Sequence, residues 1–261
     1  MRPATLRLSA QRQVGPSDST VRVGARGWRL GVIAAVTVAL GSACGSNSDL
    51  LVLSAASAQD AVRVLASDQS AAVASGGSNA LVRQLAGGAR GDVLITADAR
   101  TMAAAAEQGL LSADPITFAT SELVLAVPAT QTAVSSLADL KDADLSLVVC
   151  APEVPCGWAA RPVLEQQGLR DQVRSLEPNS RQALAKLRLG QVDAALVWAV
   201  DIAGNETLRA ISLATETDPT HYQAAVTRQA VAPAAARAFV QSLLSPTSQA
   251  SLREQGFGSA P

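Results

Sequence analysis

Short apolar runs alternate with longer amphipathic segments along most of this chain. The apolar runs have the length of buried strands, and the clearest cover residues 50–53, 92–96, 122–127, 145–150, 192–198 and 208–213. Segments of helical length lie between them, among them 57–65, 79–86, 157–167 and 180–189. Buried strands that alternate with helices predict an α/β fold with mainly parallel sheets.

The first 44 residues follow a different pattern. Six arginines and a single acid, Asp18, accompany an apolar run at 30–40, which is followed by small residues. A basic start, a short apolar run and small residues predict an export signal, and the run is short for a transmembrane helix. The basic part is long, which leaves open a start codon nearer Arg22.

Cys44 directly follows those small residues. The arrangement resembles the lipobox of bacterial lipoproteins, although Gly41 stands where the pattern prefers leucine. We therefore expect residues 1–44 to be a lipoprotein signal peptide with its lipobox, Cys44 to carry the lipid, and residues 45–49 to be a tether. The exported protein would be anchored to the outer face of the cell membrane. Plain secretion without lipidation is the alternative.

The composition argues against several classes of function. The 261 residues are 48% hydrophobic and 16% charged, and the net charge is −1. This balance gives no sign of nucleic-acid binding, which usually needs a basic patch. The motifs of serine hydrolases, zinc proteases and nucleotide-binding loops do not occur, and the single histidine, His221, lies in a polar stretch. We predict no catalytic residue, no cofactor and no enzymatic activity.

Cys150 and Cys156 remain as a pair in the exported part of the chain. An oxidising compartment favours a disulfide between them, which would close a small loop around Pro152 and Pro155. Two free thiols are the alternative. A metal site at this pair is not expected, because the chain has no third sulfur nearby and only one histidine.

Hydroxyl groups and small residues recur where predicted strands lead into helices. Ser57, Ser78, Cys156 and Ser180 each lie at such a junction. In α/β sheets these junctions lie at the carboxyl ends of the strands, where ligands bind. The unpaired N–H groups and partial positive charge of helix starts favour anions. A single serine there is typical of a helix cap, but four junctions together predict an anion site built without lysine or arginine.

Several segments, in order along the chain, resemble one family. They are Ala55-Ala-Ser57, Gly77-Ser-Asn-Ala-Leu-Val-Arg-Gln-Leu85 with Gly88, Gly91-Asp-Val-Leu-Ile-Thr-Ala-Asp98, Val154-Pro-Cys-Gly157, and Val197-Trp198 with Asp201. Between Leu50 and Gly256 the chain is similar to the periplasmic molybdate-binding proteins of ABC transporters. The resemblance implies a two-lobed periplasmic-binding-protein fold of type II, with a mainly parallel sheet in each lobe and the ligand in the cleft. Residues 49–125 plus 213–261 would form lobe 1, and residues 126–212 would form lobe 2.

The same resemblance implies a role for each junction residue. Ser57 and Ser78 would each give a hydroxyl and a backbone N–H. Cys156 and Ser180 would give backbone N–H groups, where the family has alanine and often valine. Trp198 stands where the family has a tyrosine whose hydroxyl binds the ligand, so the indole N–H is the only donor left there. All five residues would bind oxygen atoms of the oxyanion, and none would be a direct metal ligand.

The resemblance therefore implies a monomeric, extracytoplasmic solute-binding lipoprotein that delivers molybdate, with tungstate as a second ligand, to an ABC transporter permease. A site made only of donors suits a fully deprotonated oxyanion, whereas phosphate keeps a proton that needs an acceptor. Three alternatives remain: a binding protein for sulfate or another small oxyanion, an anion-sensing lipoprotein without a transport role, and an enzyme with Ser57 or Ser78 as nucleophile. The absence of a recognisable base disfavours the enzyme.

Overall fold

A computed structural model of the protein describes residues 50–142, 145–213 and 217–260. The expected signal peptide, Cys44 with its expected lipid, and the expected tether lie outside these residues. All the described residues belong to one compact unit, Ser46–Pro261. Among them, no helix combines the length and the apolar character needed to cross a membrane.

The first of two five-stranded sheets has the order β2-β1-β3-β10-β4. Its strands, numbered in chain order, are β1 (Leu50–Ala55), β2 (Ala71–Gly76), β3 (Val93–Thr96), β4 (Ile116–Ser121) and β10 (Thr220–Val226). Strands β1, β2 and β3 are parallel, whereas β10 runs antiparallel to both of its neighbours. The parallel part of the sheet brings the ends of β1, β2 and β3 to one edge.

The second sheet has the order β7-β6-β8-β5-β9. Its strands are β5 (Leu123–Pro128), β6 (Leu147–Cys150), β7 (Val173–Glu177), β8 (Ala194–Trp198) and β9 (Leu208–Ser212). Strands β6, β7 and β8 are parallel, and β5 is antiparallel to β8 and β9. The chain thus changes sheet between β4 and β5 and again between β9 and β10. Leu123–Leu125, which the predicted division gave to lobe 1, pair with the second sheet.

Nine α-helices connect these strands within the described residues. They are α1 (Gln59–Ala66), α2 (Ser78–Ala86), α3 (Ala99–Glu107), α4 (Asp139–Asp142), α5 (Pro155–Gln167), α6 (Ser180–Arg188), α7 (Ala199–Ile202), α8 (Pro233–Ser242) and α9 (Pro246–Glu254). Short 3₁₀ turns add Ala56–Ala58, Ser67–Gln69 and Arg170–Gln172. The predicted α/β fold with a flanked sheet in each half is confirmed.

Aromatic packing under the first sheet fixes the position of a buried tyrosine. Tyr222 on β10 has no exposed surface, and its ring meets Phe118 and Phe257 edge to face, with centroids 6.4 and 5.1 Å apart. His221 beside it is exposed, as predicted for this residue. The polar stretch around His221 includes the start of β10, an inner strand of the first sheet, in which Tyr222 is buried between the exposed His221 and the half-buried Gln223.

Asp92, directly before β3, binds backbone N–H groups of β1 and of the segment before α8. Its Oδ2 accepts from the N–H of Leu51 at 2.8 Å, and its Oδ1 accepts from the N–H groups of Val231 at 2.6 Å and Ala232 at 3.4 Å. Burial alone would raise the pKa of Asp92, but these bonds and the charge of Arg90 outweigh it, and the pKa lies below its ordinary value. The carboxylate therefore stabilises the fold in its ionised form.

We expect Asp92→Ala to lower the free energy of unfolding by about 3 kcal/mol, because it leaves backbone donors unpaired in a buried place. Since the folded pKa is lowered, this contribution is present above the ordinary carboxyl pKa and is lost as the pH falls through the lowered value. Urea unfolding at a series of pH values measures both effects.

Asp139 supplies a matched control for this measurement. It also accepts three hydrogen bonds, from the N–H and hydroxyl of Ser135 and the N–H of Ser136, but at the surface. Water can replace the carboxylate there, so Asp139→Ala should cost clearly less. Equal losses for the two variants would show that burial of the donors at Asp92 is not what matters.

Candidate anion-binding site

A small cavity lies between the two sheets, where strand ends from both of them meet. Its lining includes all five residues predicted for the site: Ser57, Ser78, Cys156, Ser180 and Trp198. The space open to the centre of a water molecule is only about 10 Å³, on the order of one water-sized sphere. The structure therefore brings the predicted residues together around room for a very small ligand.

Helix starts form most of the wall. Ser78 and Ser180 are the first residues of α2 and α6, and Cys156 is the second residue of α5. Ser57 lies in the 3₁₀ turn that follows β1. The first N–H groups of a helix have no partner within the helix and carry partial positive charge. Among the described residues, the lining contains no charged side chain and no histidine, so its polarity comes from hydroxyl and N–H groups.

Neighbouring donors orient two of the serine hydroxyls. The Tyr222 hydroxyl donates to Ser57 Oγ at 2.8 Å, and the Ala97 N–H donates to Ser78 Oγ at 3.1 Å. Each serine oxygen already accepts a hydrogen bond, so its own O–H is directed to another acceptor. Sequence analysis missed Tyr222; the available signal was its place at the start of the apolar positions of β10, which are buried at Ala224, Ala225 and Val226.

The two sides of the cavity approach each other at the level of the backbone. A Cβ on Gly77, before α2, would lie 2.6 Å from the carbonyl oxygen of Pro178, before α6. Only glycine permits this contact between segments that follow β2 and β7. On the same side, Arg181 Nη2 lies 2.6 Å from Asp60 Oδ2, so an ion pair also joins α6 to α1.

A second set of contacts crosses the cleft on its other side. The Nδ2 of Asn79 and the Nη2 of Arg100 donate to the carbonyl oxygen of Glu153, at 2.8 and 3.1 Å. The Arg100 guanidinium also lies 4.5 Å from the centre of the Trp158 ring, within the range of a cation–π contact. Contacts on both sides thus hold the halves together around the cavity.

The segment from Cys150 to Gly157 is held by three constraints. The predicted disulfide between Cys150 and Cys156 is present, with their Cα atoms 5.6 Å apart. Pro155 is the first residue of α5, where its missing N–H costs no helical hydrogen bond. A Cβ on Gly157 would overlap the carbonyl oxygen of Ala151, so the turn and the helix can pack this closely only with glycine. These constraints fix the backbone of Cys156 at the cavity wall.

Trp198 ends β8 and Asp201 lies in the following helix α7, where the two residues form one buried unit. The Trp198 side chain is 1% exposed and lines the cavity. Its backbone N–H donates to Asp201 Oδ2 at 3.2 Å. Burial raises the pKa of Asp201 to about 6, although the Ser180 side chain, the Arg181 charge, the Trp198 N–H and the Arg188 charge act in the opposite direction.

Comparison with known proteins gives a consistent result. Residues 50–258 match the family model of the bacterial extracellular solute-binding proteins. The molybdate-binding proteins ModA of Mycobacterium bovis and Mycobacterium tuberculosis are each 32% identical over 262 residues, which cover 88% of this chain and 97% of theirs. These matches establish the family and give no support to an enzyme.

Solved structures show the same fold at lower identity. The periplasmic molybdate-binding protein of Azotobacter vinelandii aligns with a TM-score of 0.73 and 21% identity, over 82% of this chain and all of its own. The sulfate-binding protein SubI of Mycobacterium tuberculosis aligns with a TM-score of 0.69 and 14% identity, over 80% of this chain and 86% of its own. The fold and the family match together establish that this chain belongs to the bacterial extracellular solute-binding proteins, as a relative of their molybdate-binding members.

Proposed function

We propose that this protein captures molybdate outside the cytoplasmic membrane and delivers it to the permease of an ABC transporter. The observation that carries the proposal is the cavity between the two sheets, whose polar groups are hydroxyl and N–H donors from helix starts of both halves. The ModA relatives, at 32% identity over most of both chains, add independent support.

The donor set suits a small, fully deprotonated oxyanion. Such an ion has only acceptors, and burying it is costly unless every oxygen receives a hydrogen bond. Ser57 and Ser78 would each supply a hydroxyl and an N–H, Cys156 and Ser180 would supply N–H groups, and Trp198 would supply its indole N–H. Hydrogen bonds to a charged acceptor are stronger than neutral ones, which offsets the loss of hydration. The protein atoms would bind oxygen and not the metal centre.

Tungstate has the same charge and shape and belongs to the proposal as a second ligand. Sulfate is the alternative that a specific residue favours. Trp198 is bulkier than the tyrosine of the family pattern, and the cavity is small, so a smaller oxyanion could fit better. We also propose a monomer that acts without a cofactor, is exported by residues 1–44, and is anchored through a lipid on Cys44.

The direct test is calorimetric titration of the purified mature protein with molybdate, tungstate, sulfate and phosphate in parallel. We expect tight binding of molybdate and tungstate and no heat from phosphate. Tighter binding of sulfate than of molybdate would mean that sulfate, the alternative ligand, is the one that the protein captures. Absence of binding for all four anions would refute capture of an oxyanion at this site.

Gly157→Ala tests whether the constrained segment presents the Cys156 N–H. The added methyl overlaps the Ala151 carbonyl oxygen, so the segment must shift and move this donor. We expect molybdate affinity to fall by about tenfold or more, the cost of one misplaced charge-assisted hydrogen bond. In Gly87→Ala the new Cβ would only reach ordinary contact, 3.4 Å from the Arg83 carbonyl oxygen, so this control should bind normally. Unchanged binding by a folded Gly157→Ala protein would contradict the role of the segment.

Tyr222→Phe tests the orientation of Ser57. The change keeps the ring among Phe118 and Phe257 but removes the donor to Ser57 Oγ, so the serine hydroxyl can turn away from the ligand. We expect about a fivefold weaker Kd for molybdate, equivalent to roughly 1 kcal/mol. Ser54→Ala is the control, since this buried hydroxyl bonds only to the Ala55 carbonyl oxygen and lies outside the cavity lining. If both variants weaken binding equally, a general loss of packing explains the effect.

A further inference from the structure

Asp201 is a buried carboxylate that lies directly behind the proposed anion site. Its side chain has no exposed surface. Oδ2 accepts the Trp198 N–H, whereas Oδ1 has no hydrogen-bond partner among the described residues. A buried carboxylate with one unpaired oxygen is costly in its ionised form, so this group calls for an explanation.

The charged groups around Asp201 do not complete its pairing. Arg181 Nε lies 3.9 Å from Oδ1, too far for a hydrogen bond, and this nitrogen is itself buried without a partner. The Nη2 of the same guanidinium is engaged by Asp60 of α1. Arg188, also on α6, acts on Asp201 only through its charge, and Tyr222 of β10 faces it as a neutral hydroxyl that donates to Ser57.

Ser180 links this carboxylate to the cavity. Its side chain is a hydrogen-bonding neighbour of Asp201, and the residue also lines the proposed anion site. Ser180 has one hydroxyl proton, which cannot be donated both to the Asp201 carboxylate and to a ligand in the cavity. Toward an ionised Asp201 the serine donates its proton and turns lone pairs to the cavity. Toward a protonated Asp201 the serine accepts, and its O–H is free to point at the ligand.

In Ser57 and Ser78 the hydroxyl oxygen already acts as an acceptor, so the O–H can point at the ligand. Each of their oxygens accepts from a fixed donor, the Tyr222 hydroxyl or the Ala97 N–H. Among the described residues, Ser180 has no such donor unless Asp201 carries a proton. The three serines become equivalent donors to an oxyanion only when Asp201 is protonated.

We propose that Asp201 is a positioning residue that takes up one proton from solvent when the oxyanion binds, which turns the Ser180 hydroxyl into the cavity. The inference rests on the proposed function. The proton ends on the Asp201 carboxyl group and Ser180 keeps its own proton, so no bond to the ligand is made or broken. Repulsion between two buried negative charges acts in the same direction, because an anion at the cavity disfavours an ionised carboxylate behind it.

Burial has already brought the pKa of Asp201 to about 6 in the protein without a ligand. Near neutral pH the carboxylate of the free protein is therefore mostly ionised, and a bound dianion raises its pKa further. Affinity is highest where Asp201 is protonated beforehand and falls as the pH rises through the pKa of the free protein.

Two measurements on the unmodified mature protein test this uptake. Molybdate titrations near pH 7 in two buffers of different ionisation enthalpy should give binding heats that differ as expected for close to one proton taken up per ion. Between about pH 6.5 and 8 the Kd should weaken about tenfold, the linkage expected for one group whose pKa rises by two units or so. Binding with equal heats in both buffers would overturn the proposal, and would mean that Arg181 closes on Oδ1 and keeps Asp201 ionised.

Asp201→Asn supplies a second readout. The amide oxygen can still accept the Trp198 N–H, and the amide N–H₂ can donate to Ser180 at every pH. We expect a Kd that is independent of pH over this range and close to the value that the unmodified protein shows at the low end of the pH range. Asp139→Asn, a surface carboxylate remote from the cavity, should keep the original pH profile. A pH profile unchanged in Asp201→Asn would refute the role of Asp201.

Ser180→Ala separates this role from simple charge repulsion. In this variant the hydroxyl that protonation of Asp201 would orient is missing. We therefore expect most of the pH dependence of the Kd to disappear, together with part of the affinity for molybdate. Full pH dependence in Ser180→Ala would refute the positioning step. If molybdate binds to none of these proteins, the proposed function fails; binding without proton uptake refutes only the present inference.

Discussion

The structure depends on one constraint: a doubly charged anion buried away from water needs a hydrogen-bond donor for each of its oxygens. Lysine and arginine could supply them, but the cavity of this chain has neither in its lining among the described residues. Helix starts replace them. Each offers N–H groups that the helix cannot use itself, and four such junctions, two from each half, face the same small space. The strand order follows from this requirement, because only parallel strands bring several helix starts to one edge of a sheet.

Close backbone packing is what makes those donors converge. Gly77 touches the carbonyl oxygen before α6, and Gly157 packs on the turn that precedes α5, so a side chain at either place would push a donor away from the centre. The disulfide fixes the backbone at one wall only, where Cys156 lines the cavity. Salt bridges and cation–π contacts at the cleft surface are weaker individually. Their effect is to favour the arrangement in which the backbone contacts are already made.

Much of the fold and of the cavity wall could be predicted from the sequence, and the elements that the prediction missed were missed for physical reasons. Buried parallel strands such as β1, β6 and β8 are continuous apolar runs, and the residues predicted for the site at or after their ends do line the cavity. Strands β4 and β10 were missed because polar residues, such as Thr117 in β4 and Gln223 in β10, interrupt their apolar positions, so neither forms the continuous apolar run of a buried parallel strand. Tyr222 was missed with β10. The predicted disulfide needed only the pairing of two cysteines in an exported chain, whereas the unpaired oxygen of Asp201 depends on the distance to Arg181, which no sequence pattern encodes.

The fold alone does not determine which oxyanion is bound. A molybdate-binding and a sulfate-binding protein align with this chain at TM-scores of 0.73 and 0.69, so discrimination has to come from the few groups at the cavity. Most of those groups are backbone N–H donors, which any tetrahedral oxyanion can use equally well. The side chains that remain are three serines and Trp198. Two serines have their direction fixed by a neighbouring donor, and the third adjoins a carboxylate that can be charged or neutral. In the proposed binding mode, selectivity against a protonated oxyanion would depend on whether Ser180 offers a proton or a lone pair, and selectivity by size would depend on how far the Trp198 ring enters the cavity. These two residues are where this chain can differ from its relatives without any change of fold.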